Sequence, residues 1–276
     1  MLAGGIGVGA AETHLWRHVR NVLDPAPEPK VRIPDTTTGA LVSGEFDSQA
    51  RKTTVGWSIA YPPGATEHAQ LPVAIVLHGK GNDHHAAFGS HHLDRFLATA
   101  AQGGVPPFAL ASVDGGEDSY WHRRKDGTDA MAMLTDEFVP MLTARGLTTD
   151  RIGVMGWSMG GYGSFLLAEH LGRQRCAAVA ADSPALWRHP SETAPGAFDN
   201  AADYHRNDVF AGRARLTGIP IRVACGTSDP FYASTRAFVA GLPQPPETDF
   251  SIGGHTDAFW LHSAPAQLAF LGRHLA

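Results

Sequence analysis

The amino-acid sequence predicts an α/β protein with a mostly parallel central sheet and helices on both faces of that sheet. Strand-like runs alternate with helical patterns along most of the 276 residues. Nearly all of these runs are continuously apolar, which is typical of strands that are covered on both faces. Because no internal repeat and no linker divides the chain, we expect one domain over residues 40–276 after an extended lead-in over residues 1–39.

The predicted elements follow in a regular order. Four prolines predict the extended lead-in, and a hairpin at one edge of the sheet follows it. The hairpin strands and the later strands are predicted at residues 41–46, 54–61, 72–77, 108–113, 152–155, 177–181, 219–225 and 249–252. Helices are predicted at residues 92–101, 129–144, 161–171, 232–242 and 264–275. Residues 183–216 have no clear period, so we expect a lid-like irregular insertion there, with a plain surface excursion as the alternative.

The run Gly-Trp-Ser-Met-Gly-Gly at residues 156–161 is the most informative motif. A short apolar strand leads into Ser158, and a helical pattern follows it. Strand, tight turn with serine at its apex and helix form the nucleophile elbow of α/β-hydrolases. Side chains at Gly156 and Gly160 would collide where the chain reverses. The motif therefore predicts that Ser158 is a nucleophile on an α/β-hydrolase fold.

Reactive groups in such a sheet gather at the carboxyl ends of the strands. Ser158 follows one predicted strand, Asp229 follows the next but one, and His255 follows the last. The order Ser, Asp, His is the triad order of this fold. We expect His255 to act as the general base and Asp229 to hold its ring in the correct tautomer. The backbone N–H groups of Lys80 and Met159 are the expected oxyanion donors.

Alternatives exist for two of these roles. Asp182 directly follows the strand predicted at 177–181 and could supply the acid instead of Asp229. His78 is a rival base, although a ring at that position usually supports the oxyanion loop. Five side chains near the predicted strand ends are candidates for contact with substrate, and the large aromatic ones among them could equally be core residues. These five are His78, Tyr120, Trp157, Phe231 and Trp260.

Composition excludes several other classes of protein. The net charge is −5, and no run of Lys or Arg marks a surface for nucleic acid. No apolar stretch is long enough to span a bilayer. The two cysteines, Cys176 and Cys225, lie in apolar runs and are expected to be buried free thiols. The paired histidines at residues 84–85 and 91–92 do not converge on a common point as zinc ligands must, so we expect no metal site there, and polar lining of the cleft mouth is the alternative role.

The first eleven residues permit two interpretations. They resemble the apolar core and small-residue end of an export signal, but no basic segment precedes them. They are either a glycine-rich segment that docks on the domain or part of a signal whose start lies upstream. The protein is accordingly exported or cell-envelope in one case and cytoplasmic in the other. The sequence also leaves open whether it is a monomer or a small homo-oligomer.

Three segments resemble the esterase D-like hydrolases. They are Gly-Trp-Ser-Met-Gly-Gly-Tyr-Gly at 156–163, Asp114-Gly115-Gly116 with Tyr120, and Gly253-Gly254-His255 with Trp260. This group includes S-formylglutathione hydrolases, feruloyl and acetyl esterases and mycolyltransferase-type antigens. The resemblance implies an acyl-serine intermediate, no cofactor and a small ester or thioester substrate. Mycolyltransferase-type members use Glu where this chain has Asp229, which argues against transfer of mycolate.

These observations predict a serine hydrolase that cleaves carboxylic esters through an acyl-Ser158 intermediate. An acyltransferase would use the same intermediate and is the main alternative. A peptidase could use the same three residues. A binding protein on a hydrolase scaffold is the alternative from a different class.

Overall fold

The structure, a computed structural model, describes residues 27–276. The predicted export-like segment at the N-terminus lies outside the described residues. Eight strands form one sheet in the order β1-β2-β4-β3-β5-β6-β7-β8. They are β1 Leu41–Ser48, β2 Thr53–Ala60, β3 Pro72–Leu77, β4 Ala109–Val113, β5 Thr148–Trp157, β6 Cys176–Asp182, β7 Ile221–Ala224 and β8 Glu247–Asp249.

The sheet is parallel except at one edge. β1 pairs with β2 and β2 pairs with β4 in antiparallel fashion, and every later pairing is parallel. The longer helices are α1 Leu93–Gln102, α3 Met159–Arg175, α6 Tyr232–Ala240 and α7 Asp257–Leu275, and α2 joins Ala130–Ala132, a π-helical stretch Met133–Phe138 and Val139–Ala144. No helix of residues 27–276 combines the length and the apolar character that crossing a membrane requires.

Two hydrophobic cores lie on opposite faces of the sheet. On one face, α2 and α3 contribute Phe138 and Phe165, and both side chains are fully buried. On the other face, α1 and α7 contribute Phe96 and Leu268. Every residue of β4 and β6 is buried, because helices cover both sides of these strands. The predicted α/β-hydrolase fold, with helices on both faces of a mostly parallel sheet, is confirmed.

The structure corrects the bounds of the last predicted strand and of the last predicted helix. The last strand ends at Asp249, so residues 250–252 form a loop. The last helix begins at Asp257, seven residues before the predicted start, and contains Pro265 in its interior. Thr256 caps this helix by accepting a hydrogen bond from the Phe259 N–H.

The insertion at residues 183–216 is more regular than predicted. It contains two short α-helices, α4 Ala201–Arg206 and α5 Val209–Gly212, and two 3₁₀ turns, Pro190–Glu192 and Arg213–Leu216. Side-chain caps begin both α-helices: Asn200 accepts from the Asp203 N–H, and Asp208 accepts from the Phe210 N–H. These helices are too short to produce a hydrophobic period, which is why the sequence pattern missed them.

Candidate active site

Ser158 lies between β5 and α3 with φ 55° and ψ −118°, a conformation that residues with a side chain rarely adopt. The glycines on either side permit the turn. A Cβ atom on Gly156 would lie 2.5 Å from the carbonyl oxygen of Gly160. A Cβ atom on Gly160 would lie only 1.9 Å from the carbonyl oxygen of Leu77. The turn is therefore packed directly against the end of β3, beside the loop that contains Lys80.

The structure brings Ser158, His255 and Asp229 together in one chain of hydrogen bonds. His255 Nε2 lies 2.8 Å from Ser158 Oγ, and His255 Nδ1 lies 2.9 Å from Asp229 Oδ2. The side chain of Asp229 is buried, and its second oxygen accepts from the Phe231 N–H at 2.8 Å. The carboxylate is thus held by both of its oxygens. This arrangement can pass a proton from the hydroxyl to the imidazole while the carboxylate stabilises the resulting positive charge.

Backbone contacts fix the two loops that present Asp229 and His255. The Thr227 N–H donates to Ser251 at 2.9 Å, and the Ser228 N–H donates to Gly253 at 2.9 Å. A Cβ atom on Gly226 would lie 2.2 Å from the carbonyl oxygen of Gly253. These contacts continue the pairing of β7 with β8 beyond the ends of the strands. The distance between the acid and the histidine is therefore set by the sheet.

Asp182, the alternative acid, faces α7 instead of the His255 ring. Its carboxylate accepts a hydrogen bond from the Gln267 amide and is fully buried. Burial raises the pKa of Asp182 to about 7, and the hydrogen bonds from Ser263 and Gln267 only partly oppose this. The backbone of Asp182 contacts the elbow: its carbonyl oxygen accepts a hydrogen bond from the Ser158 N–H at 3.0 Å.

We expect Asp182→Asn to alter the pH dependence of stability and to leave kcat within about threefold of wild type. Because the pKa of Asp182 is raised to about 7 in the folded state, the folded protein binds this proton more tightly than the unfolded chain does. The neutral carboxyl makes its full contribution to the free energy of unfolding below pH about 4, and this contribution is lost as the pH rises through about 7. Asparagine does not titrate. The variant should therefore gain about 1–3 kcal/mol in unfolding free energy relative to wild type between pH 5 and pH 8.

Denaturant unfolding of both proteins at several pH values measures this gain. Curves that stay parallel from pH 5 to pH 8 would contradict the expected titration of Asp182.

His78 supports the predicted oxyanion loop from below. The Gly115 N–H donates to His78 Nε2 at 3.0 Å, so the proton is on Nδ1, which lies 2.8 Å from the carbonyl oxygen of Gly79. Burial lowers the pKa of His78 and favours this neutral ring. The prediction that His78 contacts substrate is wrong, because its side chain is fully buried and both ring nitrogens bond to backbone.

The Lys80 and Met159 N–H groups are free to face a developing oxyanion. Neither donates to an acceptor within residues 27–276. Met159 is the first residue of α3, where an N–H has no partner within the helix and the helix dipole favours negative charge. The Lys80 ammonium is directed elsewhere, 3.9 Å from Asp118 Oδ2. Both backbone N–H groups are therefore available as donors, and the Lys80 ammonium is directed to Asp118.

The four aromatic candidates divide into two groups. Phe231 and Trp260 are half-buried and flank the His255 ring, with ring centroids 5.3 and 5.1 Å away. Trp157 is buried against His91 with a centroid distance of 4.1 Å, and its indole nitrogen lies beside Gly79. The structure thus contradicts the prediction that Trp157 contacts substrate, because this side chain is packed under the oxyanion loop. Tyr120 is as buried as Trp157, so the structure contradicts its predicted contact with substrate as well, and burial raises its pKa to about 12.

Tyr120 belongs to an aromatic cluster that includes two residues not predicted from the sequence to contact substrate, Trp187 and Phe198. The Tyr120 ring lies 5.4 Å from Trp187 and 6.1 Å from Phe198, and Trp187 lies 5.5 Å from Phe231. We call Tyr120, Trp187, Phe198 and Phe231 the aromatic cluster. Trp187 and Phe198 come from the insertion at residues 183–216. The sequence signal that could have identified the cluster is the presence of large aromatic side chains, Trp187 and Phe198, within a proline-rich insertion.

The histidine pairs make ordinary structural contacts. His84 Nδ1 lies 2.7 Å from Asp114 Oδ1, and His91 Nδ1 lies 3.1 Å from the carbonyl oxygen of Ala86. Within residues 27–276, no three His, Cys, Asp or Glu side chains are arranged to hold a metal ion. Cys176 and Cys225 are buried free thiols, and burial raises the pKa of each.

Solved structures share this fold. A ferulic acid esterase aligns over 87% of this chain and 99% of its own, with 19% identity and a TM-score of 0.73. An S-formylglutathione hydrolase from Agrobacterium tumefaciens aligns over 90% of this chain and 100% of its own, with 16% identity and a TM-score of 0.73. Fluorophosphonate-binding serine hydrolase F of Staphylococcus aureus aligns over 86% and 99%, with 15% identity and a TM-score of 0.70. At these identities the likeness shows the fold alone.

No curated protein matches the chain significantly. The family described as "Putative esterase" matches residues 48–244, which is more than half of the chain and contains the elbow and Asp229. The chain therefore belongs to this esterase family, as a serine hydrolase of carboxylic esters with the α/β-hydrolase fold.

Proposed function

We propose that the protein hydrolyses small carboxylic esters with Ser158 as nucleophile, His255 as general base and acid, and Asp229 as the group that orients His255. The observation that supports these roles is the continuous path from Ser158 Oγ through the His255 ring to Asp229, with hydrogen bonds of 2.8 and 2.9 Å. Both distances lie within the range that proton transfer requires.

Acylation begins when Ser158 Oγ attacks the ester carbonyl carbon and its proton moves to His255 Nε2. The carbonyl oxygen becomes an oxyanion that accepts hydrogen bonds from the Lys80 and Met159 N–H groups. Asp229 stabilises the imidazolium. The tetrahedral intermediate then collapses: the bond to the alcohol oxygen breaks, His255 gives its proton to that oxygen, and an acyl-Ser158 enzyme remains.

Deacylation repeats the same steps with water. His255 takes a proton from a water molecule, and the water oxygen attacks the acyl carbon. The bond from this carbon to Ser158 Oγ breaks, and His255 returns the proton to Ser158. The carboxylic acid leaves, and the three residues regain their starting protonation states. No group other than these residues and the two N–H donors is needed.

The acyl group of the substrate would contact the half-buried members of the aromatic cluster, Trp187, Phe198 and Phe231. The Ala185 N–H donates to the carbonyl oxygen of Ser158 at 2.9 Å, so the insertion starts directly beside the nucleophile. Trp187 follows two residues later and, with Phe231, leads from the His255 ring toward Tyr120. An aromatic surface of this kind favours binding of an apolar or aromatic acyl group over a charged one. The solved ferulic acid esterase with the same fold is in keeping with an aromatic acid product.

Hydrolysis of a panel of p-nitrophenyl esters tests this proposal. The panel runs from acetate to palmitate and includes an aromatic acyl group. We expect turnover, a clear preference within the panel, and a kcat/KM for the preferred ester that falls about 10- to 100-fold in Trp187→Ala. Absence of turnover with every ester would contradict the function. Equal rates across the panel, unchanged in Trp187→Ala, would contradict the role of the cluster.

A further inference from the structure

Glu28, in the lead-in, bonds to both chain neighbours of His255. Its Oε1 accepts the Gly254 N–H at 3.1 Å, and its Oε2 accepts the Thr256 hydroxyl at 2.8 Å. More than 200 residues separate Glu28 from these partners. One carboxylate therefore spans the residues immediately before and after the histidine.

The described part of the lead-in, residues 27–39, is attached to α1. The carbonyl oxygen of Pro34 accepts from Arg95 at 3.4 Å, and Thr36 exchanges side-chain hydrogen bonds with Gln102. Both Arg95 and Gln102 belong to α1. Thus the lead-in extends from the His255 loop across α1 before it joins β1. Its contacts hold Glu28 in place without a helix or strand of its own.

The two partners of Glu28 are suited to a carboxylate. The Thr256 hydroxyl donates to Glu28 and accepts from the Phe259 N–H at 3.3 Å, so its bonding capacity at the start of α7 is used. The N-terminus of this helix favours a negative charge. A Cβ atom on Gly254 would lie 2.9 Å from Glu28 Oε1. Glycine at this position therefore allows the carboxylate to approach the backbone.

We propose that Glu28 is a positioning residue for ester hydrolysis, which fixes the loop so that His255 reaches Ser158 and Asp229 together. This inference rests on the proposed function. The His255 ring must satisfy two hydrogen bonds at 2.8 and 2.9 Å, and a displacement of the loop by about 1 Å would lengthen both enough to lower the rate. The lead-in is thereby part of the catalytic apparatus, although Glu28 does not touch the reacting atoms.

Kinetics of Glu28→Ala, Glu28→Gln and a control variant test the inference. We expect Glu28→Ala to lower kcat by about 3- to 10-fold with KM within about twofold of wild type, because a shifted histidine slows chemistry without altering substrate contacts. Glu28→Gln should fall between Glu28→Ala and wild type, since its amide oxygen can still accept one of the two bonds. The control is Lys30→Ala: Lys30 is exposed and has no hydrogen bond or ion pair within residues 27–276.

A double-mutant cycle separates positioning from stability. Thr256→Val removes the hydroxyl that donates to Glu28. Glu28→Ala should therefore lower kcat by a smaller factor in the Thr256→Val protein than in wild type. Thermal melting and the rate of fluorophosphonate labelling of Ser158 are measured for each variant. We expect the labelling rate to fall together with kcat. A Glu28→Ala protein with lowered Tm and unchanged kcat, or with kcat equal to that of Lys30→Ala, would overturn the positioning role. Activity in Ser158→Ala would instead overturn the proposed function, so the two failures are distinguishable.

Discussion

Replacing Ser158 by alanine is expected to lower kcat for ester hydrolysis by about 10⁴- to 10⁶-fold. The variant has no oxygen at the position that lies 2.8 Å from His255 Nε2. Only the oxyanion donors and substrate binding then remain, and these leave a small residual rate over water. Folding should be unaffected, because the hydroxyl makes one side-chain hydrogen bond within the described residues, to His255. Initial rates with the preferred p-nitrophenyl ester and thermal melting measure both effects.

Ser164→Ala is the matched control for this change. Ser164 lies farther along α3, and its buried hydroxyl donates to the carbonyl oxygen of Gly160 at 2.8 Å. Removing this hydroxyl should leave kcat within a few-fold of wild type, because it does not touch His255. Ser158→Ala protein that is free of wild-type enzyme and retains more than about a hundredth of the activity would refute the assignment of the nucleophile.

Asp229→Asn is expected to lower kcat by about 10³- to 10⁴-fold with a smaller effect on KM. The carboxylate holds the Nδ1 proton of His255 and leaves Nε2 free to accept the Ser158 proton. An asparagine amide directed at Nδ1 would donate to it and stabilise the opposite tautomer, in which Nε2 already has its proton. Steady-state kinetics on the variant give kcat and KM.

Asp182→Asn is the companion variant for the acid. Both aspartates are buried, Asp182 at the end of β6 and Asp229 after β7, yet only Asp229 contacts the His255 ring. If Asp182→Asn were the more damaging change to kcat, Asp182 and not Asp229 would have to be the acid.

The elbow could be predicted because its determinants are local. Glycines two residues on either side of Ser158 are required by close backbone contacts, and such contacts leave a direct trace in the sequence. Asp229 and His255 could be nominated since each follows a strand of the sheet. Their meeting with Ser158 depends on the order of the strands, which the alternation of elements does not indicate and which the structure shows. In the structure, Ser158 and Asp229 each lie within hydrogen-bonding distance of the His255 ring.

The surroundings of the triad could not be predicted in the same way. Whether His78 and Trp157 face substrate depends on the loops folded over them, which include Gly115 and His91. Those contacts join residues far apart in the chain and have no local pattern. The cluster residues Trp187 and Phe198 lie among short capped helices, where hydrophobic periodicity is absent.

The contact of Glu28 with the His255 loop was equally invisible in the sequence. The prolines of the lead-in predicted an extended segment, and the structure has neither helix nor strand at residues 27–40. An extended segment can lie across many surfaces, so its path is decided by partners such as Gly254 and Thr256. Local sequence patterns therefore do not indicate such contacts between distant parts of the chain.

Mass spectrometry of the enzyme quenched with acid during turnover of its preferred ester tests the acyl-Ser158 intermediate directly. We expect a mass increase equal to the acyl group, located by peptide mapping on Ser158 and absent from Ser158→Ala. Accumulation should be enhanced in Asp229→Asn if deacylation is slowed more than acylation. An acyl group on another residue, or continued turnover in the Ser158→Ala enzyme, would show that ester hydrolysis does not proceed through acyl-Ser158.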